Sequence, residues 1–296
     1  MFEHNMSNMS LRQKGPVTLL VAGLLVFAGG MDATGAEIVV PNDNTRSAGT
    51  VEGHTVTIRL RAAQGSWRPE GPDGPALTVD AFGEEGSALT VPAPLIRVVE
   101  GTTIVVSLRN DLETPIRVHG LCARNEGVCS PVDVPPREHR EVRFVSGARG
   151  TYHYWATSMG APMPFRELAG ALVVDAANET LQPDRIFVIT EWTSLTPAQL
   201  QDLLRADDVN ERFLALDPRL TFVINGLSWP ATERLTYRRG QNVRWRVINL
   251  SSQLHPMHLH GFYFTVLRTG DGLTDGPLAA RTDFVWLHTQ SEGAHV

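Results

Sequence analysis

Residues 235–262 read LTYRRGQNVRWRVINLSSQLHPMHLHGF, and residues 96–121 read IRVVEGTTIVVSLRNDLETPIRVHGL. Both run through one order of features: an alternating strand, a glycine turn, a strand ending at an asparagine, a short polar loop, and His-Gly. Successive side chains of a strand point to opposite faces, so apolar-polar alternation marks half-buried strands. A chain that carries this order twice is expected to hold two β-domains made by duplication.

Working outward, the same texture recurs. HTVTIRLRAAQ (54–64), REVRFVSG (140–147), GTYHYWATS (150–158) and GALVVDAAN (170–178) alternate or cluster β-branched residues, with Gly, Pro, Asn and Asp between them. PDRIFVITEW (183–192) opens a second set, continued by TFVINGLSWP (221–230). Many short strands with such punctuation predict an all-β sandwich or barrel. The expected division is a first domain over residues 50–177 and a second over 183–296, the second lacking its final strands. Residues 196–216, TPAQLQDLLRADDVNERFLAL, are the exception. Thr196 can cap a helix, Pro197 suits its first turn, and Leu200, Leu203 and Leu204 share one face. This stretch is expected to be a short helical insertion in the second domain.

The 296 residues carry a formal net charge of −6 and no basic stripe, which excludes a nucleic-acid binder of the usual kind. Arg12 and Lys14 precede the apolar run PVTLLVAGLLVFAGG (16–30), which small residues follow. Residues 1–36 therefore read as a secretory signal peptide, the run being short for a bilayer span. An exported protein, periplasmic or extracellular, is expected, with no membrane contact after cleavage. Cys122 and Cys129, the two cysteines, bracket CARNEGVC and are expected to form a local disulfide.

Of the ten histidines, three fall in HPMHLH (255–260). Along a strand, His258 and His260 point one way with Phe262 and Phe264, while His255 has the opposite parity. The spacing thus sends two imidazoles to one site and the third to another. Imidazole clusters suit copper, zinc, iron or nickel. A cupin-type site would add a glutamate shortly afterwards, and GFYFTVLRTG (261–270) has none. No nucleophile elbow, phosphate loop or dinucleotide fingerprint is present.

INLSSQLHPMHLHGFYFTVL (248–267) resembles the histidine segment of multicopper oxidases, the laccase-like proteins built from cupredoxin domains; DRIFVITEW, FVINGLSWP and GTYHYW resemble their counterparts there. The resemblance covers residues 75 to 287 and is to the two-domain oxidases, so it implies two cupredoxin-like Greek-key β-sandwich domains. It implies copper as cofactor, a small-molecule or metal-ion reductant with dioxygen as reaction partners, and homotrimers that build copper sites between subunits. His255 matches a ligand of the mononuclear blue copper, His258 and His260 match ligands of the trinuclear cluster, and RVHGL places His119 as a cluster ligand.

Three positions depart from the pattern. Arg117 stands where the first histidine of the RVHGL segment belongs, and Trp155 and Thr157 stand where a second His-x-His belongs. His153 shares their face but lies two residues, about 6–7 Å, too early. The family's final His-Cys-His is also missing from RTDFVWLHTQSEGAHV (281–296), where His288 and His295 lack the pattern. A longer reading, truncated or shifted in frame, is the expected origin. Met159 and Met163 could offer soft ligands to cuprous ion, although packing is the plainer role. The expected activity is therefore a copper-dependent oxidoreductase with an incomplete ligand set, or a copper-binding envelope scaffold without turnover.

Overall fold

Val56, Ile58, Leu60 and Ala62 are buried while Thr57 and Arg59 are exposed, so the alternation in residues 54–64 does become a strand with one face in a core. The computed structural model describes residues 30–32, 35–124, 129–158, 168–178, 183–260, 263–278 and 287–288. The strands of the first unit are β1 (Ile38–Pro41), β2 (Thr50–Glu52), β3 (Thr55–Trp67), β4 (Leu77–Glu84), β5 (Leu89–Val91) and β6 (Ala93–Val99). They continue with β7 (Thr103–Asn110), β8 (Ile116–His119), β9 (Val132–Val134), β10 (His139–Val145), β11 (Gly150–Ser158) and β12 (Ala169–Asp175). The second unit holds β13 (Asp184–Thr193), α1 (Pro197–Leu204), α2 (Val209–Leu216), β14 (Leu220–Ile224) and β15 (Arg244–Asn249). It ends with β16 (Pro256–Met257), β17 (Arg268–Gly270), β18 (Asp275–Pro277) and β19 (Leu287–His288).

Among the described residues the first unit is a sandwich of two sheets. One runs β1-β5-β4-β3-β7-β10 with β2 beside β3, and the other runs β6-β12-β11-β8-β9. Between them lie Ile58, Leu60, Phe82, Ile96, Ile104, Val106, Tyr152, Tyr154 and Leu172. Each large apolar side chain so enclosed stabilises the fold by about 1.5–3 kcal/mol. The all-β, two-unit architecture with a small helical insertion is as the sequence predicts. β1 extends the first sandwich upstream of residue 50, pairing in parallel with β5.

Every residue of β12 is buried, because the strand has cores on both sides. Leu172 and Val174 face the sandwich interior, while Ala169, Ala171 and Val173 meet Ile186 and Val188 of β13 and Ile248 of β15. The outer face of the five-stranded sheet is thus the seam with the second unit. β11 shares this division: Tyr152, Tyr154 and Ala156 point into the sandwich core, and the odd-numbered residues point to the seam.

A four-residue ionic network closes the seam. Arg97 Nε and Nη1 donate to Asp175 and Asp184 at 2.7 Å each, and Arg246 donates to Asp184 at 2.6 Å and to Thr151 Oγ1 at 2.7 Å. Arg124, 2 % exposed, makes a second link by donating to the carbonyls of Gly120, His153 and Gly272 with its guanidinium over the Tyr152 ring. Burial pushes the Arg124 pKa down to about 10 against the influence of Tyr152.

Two elements differ from expectation. The predicted helical stretch is two helices that meet through Leu200, Leu203 and Phe213, broken between Leu204 and Val209. Among the described residues, the histidine segment pairs as a strand over Pro256–Met257 alone, against β19. Proline has no N–H to donate to a ladder.

Candidate functional site

β8 and β11 place four of the singled-out residues in a block. His119 lies directly opposite Trp155 and Arg117 opposite Thr157. The four side chains therefore share one face, as the sequence spacing implies. The His119 and Trp155 rings stack at 4.7 Å with 10° between planes. Arg117 reaches across to β9, donating to both Asp133 carboxylate oxygens at 2.6 and 2.8 Å. Partial burial, and after it the Arg117 charge, holds the His119 pKa below the usual imidazole value, with Asp133 opposing. His153, 4 % exposed, is tilted against Trp155 at 5.1 Å between centroids and lies beneath Gly272. Its place is in the seam.

The histidine segment is positioned by the loop that leaves β15. Asn249, fully buried, accepts from Ser251 N at 3.1 Å and Ser251 Oγ at 2.8 Å, and donates from Nδ2 to the Gln253 carbonyl at 2.8 Å. Ser251 Oγ in turn lies 2.7 Å from His255 Nε2. Phe222 of β14 presents an edge to the His255 ring at 5.2 Å. Glu191 of β13 accepts from Ser252 N through Oε1, while its buried Oε2 has no hydrogen-bond partner among the described residues. Partial burial lowers the His255 pKa, with Glu191 opposing. Ser251 and Glu191 were not legible as site residues; a serine four residues before a histidine carries no distinctive pattern.

Beyond Met257 the alternation of exposure persists, with no ladder among the described residues: Met257 and Leu259 are half-buried, and His258 and His260 are exposed. The two exposed imidazoles meet edge-to-face, with ring centroids 4.8 Å apart. His255 stays apart from that pair, in line with its parity. Among the described residues no three His, Cys, Asp or Glu side chains converge into a metal-holding group. His288 lies in β19 opposite Pro256. Met159, Met163 and His295 fall outside the described residues, as do residues 1–29 of the expected signal peptide.

The donor chemistry tests which copper site these residues fit. Cys122 and Cys129, the only cysteines in the sequence, are joined in a disulfide. Blue copper needs a thiolate with two imidazoles, and this chain has no thiolate to give. The β8–β11 block offers one imidazole beside an indole, a hydroxyl and an ion-paired guanidinium, which does not fit a copper cluster. The His258–His260 pair does fit a copper ion held by imidazole nitrogens. No helix among the described residues is long and apolar enough to cross a membrane.

Comparison with known proteins follows the same lines. Residues 86–179 and 193–293 each match a multicopper oxidase family model. The probable nitrite reductase-hydroxylamine oxidoreductase fusion protein of Kuenenia stuttgartiensis is 29% identical over 202 residues, 63% of this chain and 23% of that protein. The match thus spans about a quarter of that relative. Among solved structures, the copper nitrite reductase from Nitrosomonas europaea superposes with a TM-score of 0.54 at 21% identity, over 81% of this chain and 82% of that one. Lac15 from a marine microbial metagenome gives 0.57 at 21% identity, over 80% of this chain and 58% of that one. With both halves matched in order and the cupredoxin-type sandwich in place, the chain belongs to the multicopper oxidase superfamily.

Proposed function

We propose that this chain is an exported, copper-binding, multicopper-oxidase-like protein whose copper is held first by His258 and His260. The observation that carries the reading is the edge-to-face pairing of these two exposed imidazoles in a segment whose sequence matches the superfamily. His255 and His119 would be donors to further metal positions only if other groups joined them, since neither has a second donor beside it among the described residues. They lie apart from the pair, and among the described residues no further donor joins them, so a homotrimer with sites between subunits is the arrangement we favour. In such an assembly the reaction would be one-electron oxidation of a small-molecule or metal-ion reductant coupled to dioxygen reduction. Bound copper supplies the redox chemistry. The residues of this chain would hold the ion through imidazole nitrogens and leave it reachable from solvent. Without a thiolate, this chain alone is expected to give little or no oxidase turnover.

A second reading, a copper-binding envelope scaffold without turnover, is favoured by the Arg117–Asp133 ion pair and the His119–Trp155 stack, which occupy positions the superfamily pattern gives to histidines. Copper content per chain after equilibrium dialysis tests the shared claim. Bound copper in the full chain, lost in His258→Ala/His260→Ala, is the expected result. Equal copper in both proteins would overturn the assignment. Turnover of a phenolic reductant by the copper-loaded chain would then separate the oxidase from the scaffold.

A further inference from the structure

The outward face of the first sheet carries more guanidinium than it pairs. In β3 and β7, Ile58, Leu60, Val106 and Leu108 belong to the sandwich core, so Arg59, Arg61, Ser107 and Arg109 face outward. Arg59 lies opposite Ser107 where β3 pairs with β7, and Arg109 lies opposite His139 where β7 pairs with β10. These residues line a cleft of about 320 Å³, within the size range of small-ligand pockets. Four arginines and two glutamates line it, so the cleft is cationic in a chain whose net charge is −6.

Two of the four guanidiniums are committed elsewhere. Arg61 donates to both carboxylate oxygens of Glu37, and Arg137 donates to Glu113. Of the two glutamates, Glu138 lies 2.7 Å from Arg140. Arg59 and Arg109 share the other, Glu85, at 4.0 and 3.9 Å, which is beyond hydrogen-bond reach. Arg109 donates from Nε to Asp111 at 2.8 Å, and its two Nη groups make no hydrogen bond among the described residues. The Arg59 guanidinium, the Ser107 hydroxyl and the His139 ring make none there either. The Arg59 and Arg109 side chains are 69 % and 58 % exposed, so a dissolved ligand can reach them. Like charges on neighbouring strands repel, and an anion between them relieves that cost.

We propose that this cleft binds a small polyanion through its phosphate or carboxylate oxygens, gripped by Arg59 and Arg109, with Ser107 and His139 as hydrogen-bonding groups beside them. A guanidinium presents paired N–H donors that match two oxygens of such a group. Two guanidiniums favour a ligand with two oxyanion centres over one with a single centre. The histidines assigned to copper take no part, so this site stands or falls independently of the metal.

Calorimetric titration of the metal-free full chain with pyrophosphate, and separately with citrate, tests the proposal. Salt at about 0.15 M screens diffuse surface attraction. Saturable one-to-one binding of at least one of the two is expected, with amide NMR shifts centred on Ser107 and Arg109. The tighter of the two ligands tells phosphate from carboxylate as the preferred group. Arg59→Gln/Arg109→Gln, with an unchanged circular dichroism spectrum, is expected to bind about tenfold more weakly or worse. Arg238→Gln/Arg239→Gln removes the same two charges from exposed residues that do not line the cleft, and is expected to bind as wild type does. Binding of neither ligand would overturn the proposal. Equal weakening in the two glutamine variants would also overturn it, since the attraction would then belong to the overall charge and not to the cleft.

Discussion

Gly272 has a φ of +91°, and a Cβ added there would fall 2.1 Å from Cε1 of the His153 ring. The residue is glycine for two reasons, conformation and space, and the second is visible only once β17 and β18 are packed on β11. Gly272→Ala is expected to destabilise the protein by about 2 kcal/mol or more, read as a lower urea midpoint. Gly53→Ala, with a φ of +60° and open space around it, controls for backbone conformation alone, at about 1 kcal/mol. Equal losses would mean that the contact with His153 is unimportant. At the same scale, Trp155→His would set an imidazole directly opposite His119. Facing Cβ atoms are about 4.5–5.5 Å apart, so the variant is expected to bind additional copper that His119→Ala then removes; unchanged copper content would contradict the placement of that block. Strand parity puts 117 with 119 and 155 with 157; that the two pairs form one block was implied by the resemblance, and the register of β8 with β11 brings them together. The Asp133 partner of Arg117 was not legible, since β9 reaches β8 across a loop whose course no periodicity reveals.

Strands were the most legible elements, and the histidine segment marks where that legibility stops. Alternation predicts where side chains point, and exposure still alternates from Met257 to His260, but a ladder also needs a partner, and among the described residues the pairing is that of Pro256–Met257 with Leu287–His288. The helical insertion shows the converse. Thr196 caps α1 as the sequence suggests, in a reciprocal capping box with Gln199. The break into two helices was missed because neither Gly nor Pro marks residues 205–208. Thr196→Ala is expected to cost about 1 kcal/mol in the stability of α1, seen as faster amide hydrogen exchange in α1 with β3 unaffected. Equal acceleration in both would show that the insertion and the first sandwich open together.

The molecule is held as one body by the seam, where apolar packing surrounds the network of Arg97, Asp175, Asp184 and Arg246. Burial would raise the Asp184 pKa, but Arg97 and Arg246 outweigh it and hold the carboxyl below 3.8. A depressed folded-state pKa contributes stability that is fully present above the unfolded value, about 3.9, and is lost as pH falls through the lower folded one. Urea midpoints should therefore drop below about pH 4, and Asp184→Asn should lower the midpoint at pH 7 while flattening that acid dependence. A variant that keeps the wild-type acid profile would place the pH sensitivity elsewhere. The duplicated β architecture was legible from the echo of residues 96–121 in 235–262, whereas the ionic seam joins residues from four strands and leaves no local signature. The central claim is that copper sits on paired imidazoles without a thiolate. Its most direct measurement is the combined visible and electron-spin-resonance spectrum of the copper-loaded full chain. The account predicts a cupric signal with nitrogen ligands and no intense blue absorption, lost in His258→Ala/His260→Ala; an intense blue band, or an unchanged signal in that variant, would contradict it.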